Sequence, residues 1–118
     1  MSNRLLFAAM AVLALAGCAS DPAPNEQMRL TEQALEQAKA VGATAEDVPE
    51  MKLAEDKFNR AKGSMAGESY KNARMRLEQA ELDARLAEAK VLTQKSEEQV
   101  NVLNTRIVRL RKQLGDAQ

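Results

Sequence analysis

From Ser69 to Leu114 the chain contains neither glycine nor proline: SYKNARMRLEQAELDARLAEAKVLTQKSEEQVNVLNTRIVRLRKQL. These are the two residues that most readily interrupt a helix, so nothing in the stretch forces a break. A helix of about 45 residues would be nearly 70 Å long at about 1.5 Å per residue. In a chain of 118 residues, enough for one domain at most, everything else must be arranged around that rod.

The first half of the stretch carries two apolar stripes at steps of three and four. Tyr70, Ala73, Leu77, Ala80, Ala84, Ala87 and Val91 form one, and Met75, Leu82, Leu86 and Ala89 the other. A helix this broadly apolar is expected to have neighbours on more than one side.

Two shorter helical patterns precede it. In NEQMRLTEQALEQAKAV, Leu30, Ala34, Ala38 and Val41 recur at helical spacing with Leu35 beside them. Asn25 is a candidate N-cap and Gly42 ends the pattern. The link GATAEDVP follows, and Pro49 suits the first position of the next helix. There Met51, Ala54, Phe58 and Ala61 keep the same step, with Lys52, Asp56 and Arg60 as i,i+4 pairs on the wet face. Gly63, Ser64 and Gly67 break the pattern in a second turn. At about 15 to 17 residues each, these helices cover only about 22–26 Å. They can pack along the first half of the long helix and must leave the second half bare. The predicted fold is all-α: a small three-helix bundle with a long C-terminal helix projecting as a coiled-coil-like arm. Residues 26–92 form the bundle and 93–118 the arm.

Composition agrees. Aromatics make up 3% of the chain, which suits closely packed helices better than a sheet. There is no histidine, which removes the commonest metal ligand and the usual general base. The acidic residues sit at exposed helix positions beside Lys and Arg, with no loop long enough to bring two carboxylates together in a cleft. No enzymatic activity, metal or cofactor is expected.

On the arm, Val100, Leu103, Ile107, Leu110 and Leu114 form a clean seam; traced back, its frame passes through Thr93 and Ser96. An isolated helix gains nothing from an exposed Leu/Ile stripe, so the seam should meet something. Either the helix breaks near Thr93–Ser96 and folds back on its own bundle, or a partner helix covers it, from a second copy or another protein. In a parallel self-pair the flanking positions would be Glu78–Asp83, Arg85–Lys90 and Arg106–Arg111, all like-charged, which favours an antiparallel or a foreign acidic partner. Arg106, Arg109, Arg111 and Lys112 make a basic end. Cations near a helix C-terminus are favourable against the dipole; the functional alternative is contact with anionic groups, peptidoglycan or an acidic protein face. No aromatics interleave them, and the formal charge is zero, so nucleic acid is not an expected partner.

The amino terminus sets location. Leu5 to Ala16 form an unbroken apolar run, LLFAAMAVLALA, of signal-peptide length and too short for a comfortable membrane span. Leu15-Ala16-Gly17-Cys18 resembles the bacterial lipobox at every position. The resemblance implies cleavage after Gly17 of a signal peptide spanning residues 1–17, and lipid attachment at Cys18. Residues 18–25 would then be the lipidated cysteine and a proline-containing tether. Ala19 and Ser20 after the cysteine, with Asp21 too late to favour inner-membrane retention, imply the outer membrane, facing the periplasm.

The stretch AGESYKNARMRLEQAELDARLA, with Gly67, Tyr70 and Ala73 opening it, resembles the family called domain of unknown function 4398. So does the upstream segment, with its Ala38-Lys39-Ala40-x-Gly42-Ala43 turn and its Pro49-Glu50 start followed by Ala54, Lys57 and Ala61. The resemblance covers roughly Leu30 to Lys90 and implies a small Gram-negative envelope lipoprotein. Some members carry a peptidoglycan-binding domain of the outer-membrane-protein-A type, which this sequence does not show. The expected role is structural or adaptor-like; the alternative is a helical module holding an apolar ligand or lipid, which would require a cavity.

Overall fold

The computed structural model describes residues 21–117. They form three helices: α1, Asn25–Ala40; α2, Pro49–Ala66; and α3, Tyr70–Asp116. At 47 residues, α3 is about 70 Å long. Both shorter helices pack chiefly against it and touch each other only sparsely.

The turns follow from local chemistry. At the end of α1, Gly42 takes a left-handed φ of +99°. Its N–H donates to Lys39 O at 2.9 Å, and the Ala43 N–H to Ala38 O at 2.9 Å, the two bonds of a Schellman cap. The second turn repeats this geometry with a different residue. Glu68, at φ +55°, donates its N–H to Met65 O at 3.0 Å, while Ser69 N–H reaches Ser64 O at 2.8 Å. The expected break at Gly63 and Ser64 therefore does not occur, and α2 runs on to Ala66. Ser64 keeps its hydroxyl satisfied on Arg60 O at 3.2 Å within the helix. Pro49 is the first residue of α2, behind an extended Val48, as its ring favours. Asn25 is a first helical residue and not the cap; Pro24 precedes it, and the Pro24 carbonyl accepts the Met28 N–H at 2.9 Å.

α3 buries one stripe and only one: Ala73, Leu77, Ala80, Ala84, Ala87 and Val91. Against it lie Thr31, Ala34, Leu35 and Ala38 of α1 and Met51, Ala54, Phe58 and Ala61 of α2. Alanines on all three helices let the backbones approach closely, so dispersion contacts accumulate without large side chains. The one buried polar side chain of this core, Thr31, is satisfied. Its hydroxyl donates to Gln27 O at 2.8 Å, with Leu77 O across the interface at 3.1 Å.

The second stripe departs from expectation. Met75, Leu82 and Leu86 are about half exposed or more, and Ala89 is exposed too. Both short helices settle on the 73–91 stripe, and neither reaches round to the other face.

Ion pairs lace the edges. Lys57 meets Asp83 at 2.6 Å, Lys39 meets Glu55 at 3.1 Å, and Lys90 meets Glu50. Gln27 donates to Glu81 at 2.6 Å, and Arg85 holds the same carboxylate at 2.7 Å. The i,i+4 pairs expected on α2 do not form; Lys52, Asp56 and Arg60 stay exposed, and the cross-helix partners take over.

Two predictions follow from caps and carboxylates. Glu68→Gly removes the steric cost of a left-handed position and should stabilise the fold by about 0.5–1 kcal/mol, whereas Gly42→Ala should cost about 1 kcal/mol; thermal melts of the two variants check both. Hydrogen bonds from Lys90 and from its own backbone N–H lower the Glu50 pKa, and those from Arg85 and Gln27 lower that of Glu81. A carboxylate stabilised in the fold contributes stability above its unfolded pKa and loses it as pH falls through the folded one. The melting temperature should therefore hold down to about pH 5 and drop below about pH 4, with a smaller drop in Glu81→Gln.

The exposed arm as candidate functional site

Val91 is the last buried residue of α3, and every residue from Leu92 to Ala117 is exposed. The helix does not break at Thr93–Ser96. Thr93 turns its hydroxyl onto Ala89 O at 2.8 Å and the ladder continues, so the arm projects and does not fold back. At its root, Lys95 donates to Val41 O at 2.6 Å, a cation on the carbonyl end of α1, where the helix dipole favours it. No motif marked Lys95 in the sequence; its partner lies 54 residues away.

All five seam residues are open to solvent: Val100, Leu103, Ile107, Leu110 and Leu114 range from 45% to 70% exposed. They share one face. The four cations behave differently. Arg106, Arg109, Arg111 and Lys112 are all exposed, but at about 100° per residue they spread round the helix. Arg111 lies on one flank of the seam, Arg106 on the other, and Arg109 and Lys112 toward the back. They make a basic girdle, not a pocket.

A longer pattern appears once the buried stripe is known. The exposed apolar residues on the bundle's outer face, Leu82, Leu86 and Ala89, lead through Thr93 and Ser96 to Val100 without a break in the alternation of fours and threes. Met75 lies one heptad before Leu82 in the same frame. This line lies on the side of α3 opposite the buried one. The same spacing is present in the sequence, where the bundle stripe and the arm seam join only once the outer stripe is found uncovered.

Elsewhere the chemistry is sparse. A hollow between α1 and α2 is lined by Leu35 and Phe58 and rimmed by Glu32, Glu36, Lys39, Glu55, Asn59 and Lys62; it is open and its rim is charged. Among the described residues, no group of three or more His, Cys, Asp or Glu side chains gathers as a metal site, and no helix is long and apolar enough to cross a membrane. Gly17 and Cys18, the expected cleavage and lipid sites, lie outside the described residues.

The sequence pattern of DUF4398, described as a domain of unknown function, matches residues 26–103. The match takes in the bundle and the arm as far as Leu103; Ile107, Leu110, Leu114 and the basic girdle lie beyond it. The crystal structure of a DUF4398 family protein from Pseudomonas aeruginosa PAO1 is similar, at 67% identity and a TM-score of 0.79, covering 82% of this chain and 100% of that one. No curated protein matches the chain.

A helix without tertiary neighbours is marginal at the arm's length. In dilute solution, amide hydrogen exchange should therefore show strong protection over residues 77–91 and protection lower by at least about tenfold beyond residue 100, read by mass spectrometry on the intact chain.

Proposed function

This chain belongs to the DUF4398 family, and on that premise we propose that it is a lipid-anchored envelope protein with a structural or adaptor role. The resemblance of Leu15-Ala16-Gly17-Cys18 to the bacterial lipobox supports a lipid on Cys18, and Ala19 and Ser20 after it support an outer-membrane anchor with the helices in the periplasm. Two or three acyl chains hold a protein firmly on a bilayer, each buried CH₂ contributing about 0.8 kcal/mol. The bundle supplies a rigid base close to the anchor. The arm then carries its seam clear of the bundle to a partner helix, with the basic girdle available to anionic groups such as those of peptidoglycan.

The observation that carries this reading is the exposed seam on an otherwise solvated helix. A line of Leu, Ile and Val at 45–70% exposure is costly to leave in water and suited to a helical partner. The role is non-catalytic in this reading: the interhelical carboxylates of Asp83, Glu81, Glu55 and Glu50 are each engaged by a cation and work as clamps. A carrier of apolar ligands would need an apolar cavity. The charged hollow between α1 and α2 and a core filled by alanines favour the scaffold over the carrier.

In-cell photo-crosslinking tests the reading. A probe at Leu103 or Leu110 should yield a discrete adduct, and one at buried Leu77 should not. Absence of any adduct from both arm positions contradicts an adaptor role.

A further inference from the structure

The unpartnered face of α3 extends well past the arm. From Leu82 to Leu114 it is one exposed line, in a single heptad frame, on the side opposite the bundle. α1 and α2 therefore do not obstruct it, and a helix laid along it could cover the bundle's outer face and the arm together. Its middle is small, at Ala89, Thr93 and Ser96, while its far end is large, at Val100, Leu103, Ile107, Leu110 and Leu114.

We propose that the occupant is a second copy of this chain, packed antiparallel, with Ser96 opposite Val100 of the partner subunit and Leu86 opposite Leu110 of the partner subunit. The inference rests on the adaptor reading and makes the first partner of the arm another arm. In this register the small central residues of each copy meet the long aliphatic residues of the other, and the tip at Leu114 covers Leu82 of the partner subunit. Small against large is how facing helices fill space.

Charge selects the same alignment. In antiparallel pairs, flanking positions of the same kind meet across the interface. Here Arg111 falls beside Asp83 of the partner subunit, twice by symmetry, as a second cation on a carboxylate whose Oδ2 already holds Lys57 of the partner subunit, and the one like-charged contact is Glu97 with Glu97 of the partner subunit at the two-fold axis. Sliding by one heptad sets Arg111 against either Arg76 or Lys90 of the partner subunit. Sliding by two in the direction that shortens the overlap offers it Glu97 but uncovers Leu82 and Leu86. The parallel pair places like charges together at Glu78–Asp83, Arg85–Lys90 and Arg106–Arg111. One register thus buries the whole line while satisfying Arg111. Pro22 lies beside Arg74 at the start of α3, so the two tethers would leave the dimer about 70 Å apart. A dimer anchored by both at one membrane lies along it.

A cysteine pair tests the register on the full chain with Cys18→Ser, which removes the native thiol. Leu86→Cys and Leu110→Cys are both on exposed positions, and within one chain they are about 36 Å apart, too far to bridge. Oxidation of the double variant should give a covalent dimer, neither single variant should, and the Cys18→Ser chain with Leu86 and Leu110 intact should sediment at twice its monomer mass. Self-crosslinking of either single variant means a parallel pair, and a dimer mass without crosslinking of the double variant means another register; both overturn the proposal. A monomer mass across the micromolar range overturns it as well. If the chain is a monomer and the in-cell adduct from Leu103 has a foreign mass, self-pairing fails while the adaptor reading stands.

Discussion

The close approach of three backbones along Ala73, Ala80, Ala84 and Ala87 is what the rest of this molecule depends on. With a methyl group at each of these positions, α1 and α2 can both lie against one narrow stripe of α3. Leu77 fills the space between Ala73 and Ala80, Val91 closes the far end, and Met51 and Phe58 supply bulk from the other side. Larger residues on the stripe would push the two short helices outward and round the rod. Because the stripe is thin, the opposite face of α3 keeps its leucines in water. The exposed line is thus a consequence of how the core is made.

Length makes the second half of the design. Helices of 16 and 18 residues cannot accompany one of 47, so a long stretch of α3 has no neighbouring helix among the described residues. What keeps the root of that stretch in place is a set of polar clamps at the bundle's edge, Lys90 on Glu50 and Lys95 on the last turn of α1. Partly exposed pairs of this kind contribute little each, about 0–1 kcal/mol. Their use is geometric, since they fix the direction in which the arm leaves the bundle. Among the described residues, the basic side chains nearer the tip have no such partners. They are free to set alignment with whatever helix covers the seam.

Much of this was legible in the residues. The buried stripe of α3 could be written down from spacing alone from Ala73 onward, although Tyr70, its expected first member, is only half-buried; Pro49 marked a helix start, and Gly42 marked a left-handed cap. The same spacing could not say that Met75, Leu82 and Leu86 would stay exposed, because periodicity reports faces and not how many neighbours are available to cover them. Gly63 misled because a glycine costs a helix only about 1 kcal/mol, and the helix closes three residues further on, where the Glu68 and Ser69 N–H groups cap Met65 O and Ser64 O. Glu68, which makes the turn, carries no sequence mark at all. Tertiary clamps such as Lys95 to Val41 join residues too far apart in the chain for any local rule. Along the arm, where no tertiary neighbour intervenes, the seam read from sequence and the face found in space coincide.

The central claim is that α3 has one face that folds the chain and an opposite face that does not. Melting Ala84→Asp and Leu86→Asp side by side, at concentrations too low for association, tests it most directly. The expected result is that Ala84→Asp, burying an unpaired carboxylate between three helices, costs several kcal/mol (about 3–5) and loses the helical signal on mild heating. Leu86→Asp should melt within about 0.5 kcal/mol of the parent chain. If Leu86→Asp unfolds as readily as Ala84→Asp, the outer face of α3 belongs to the core, and the division of the helix into two faces is wrong.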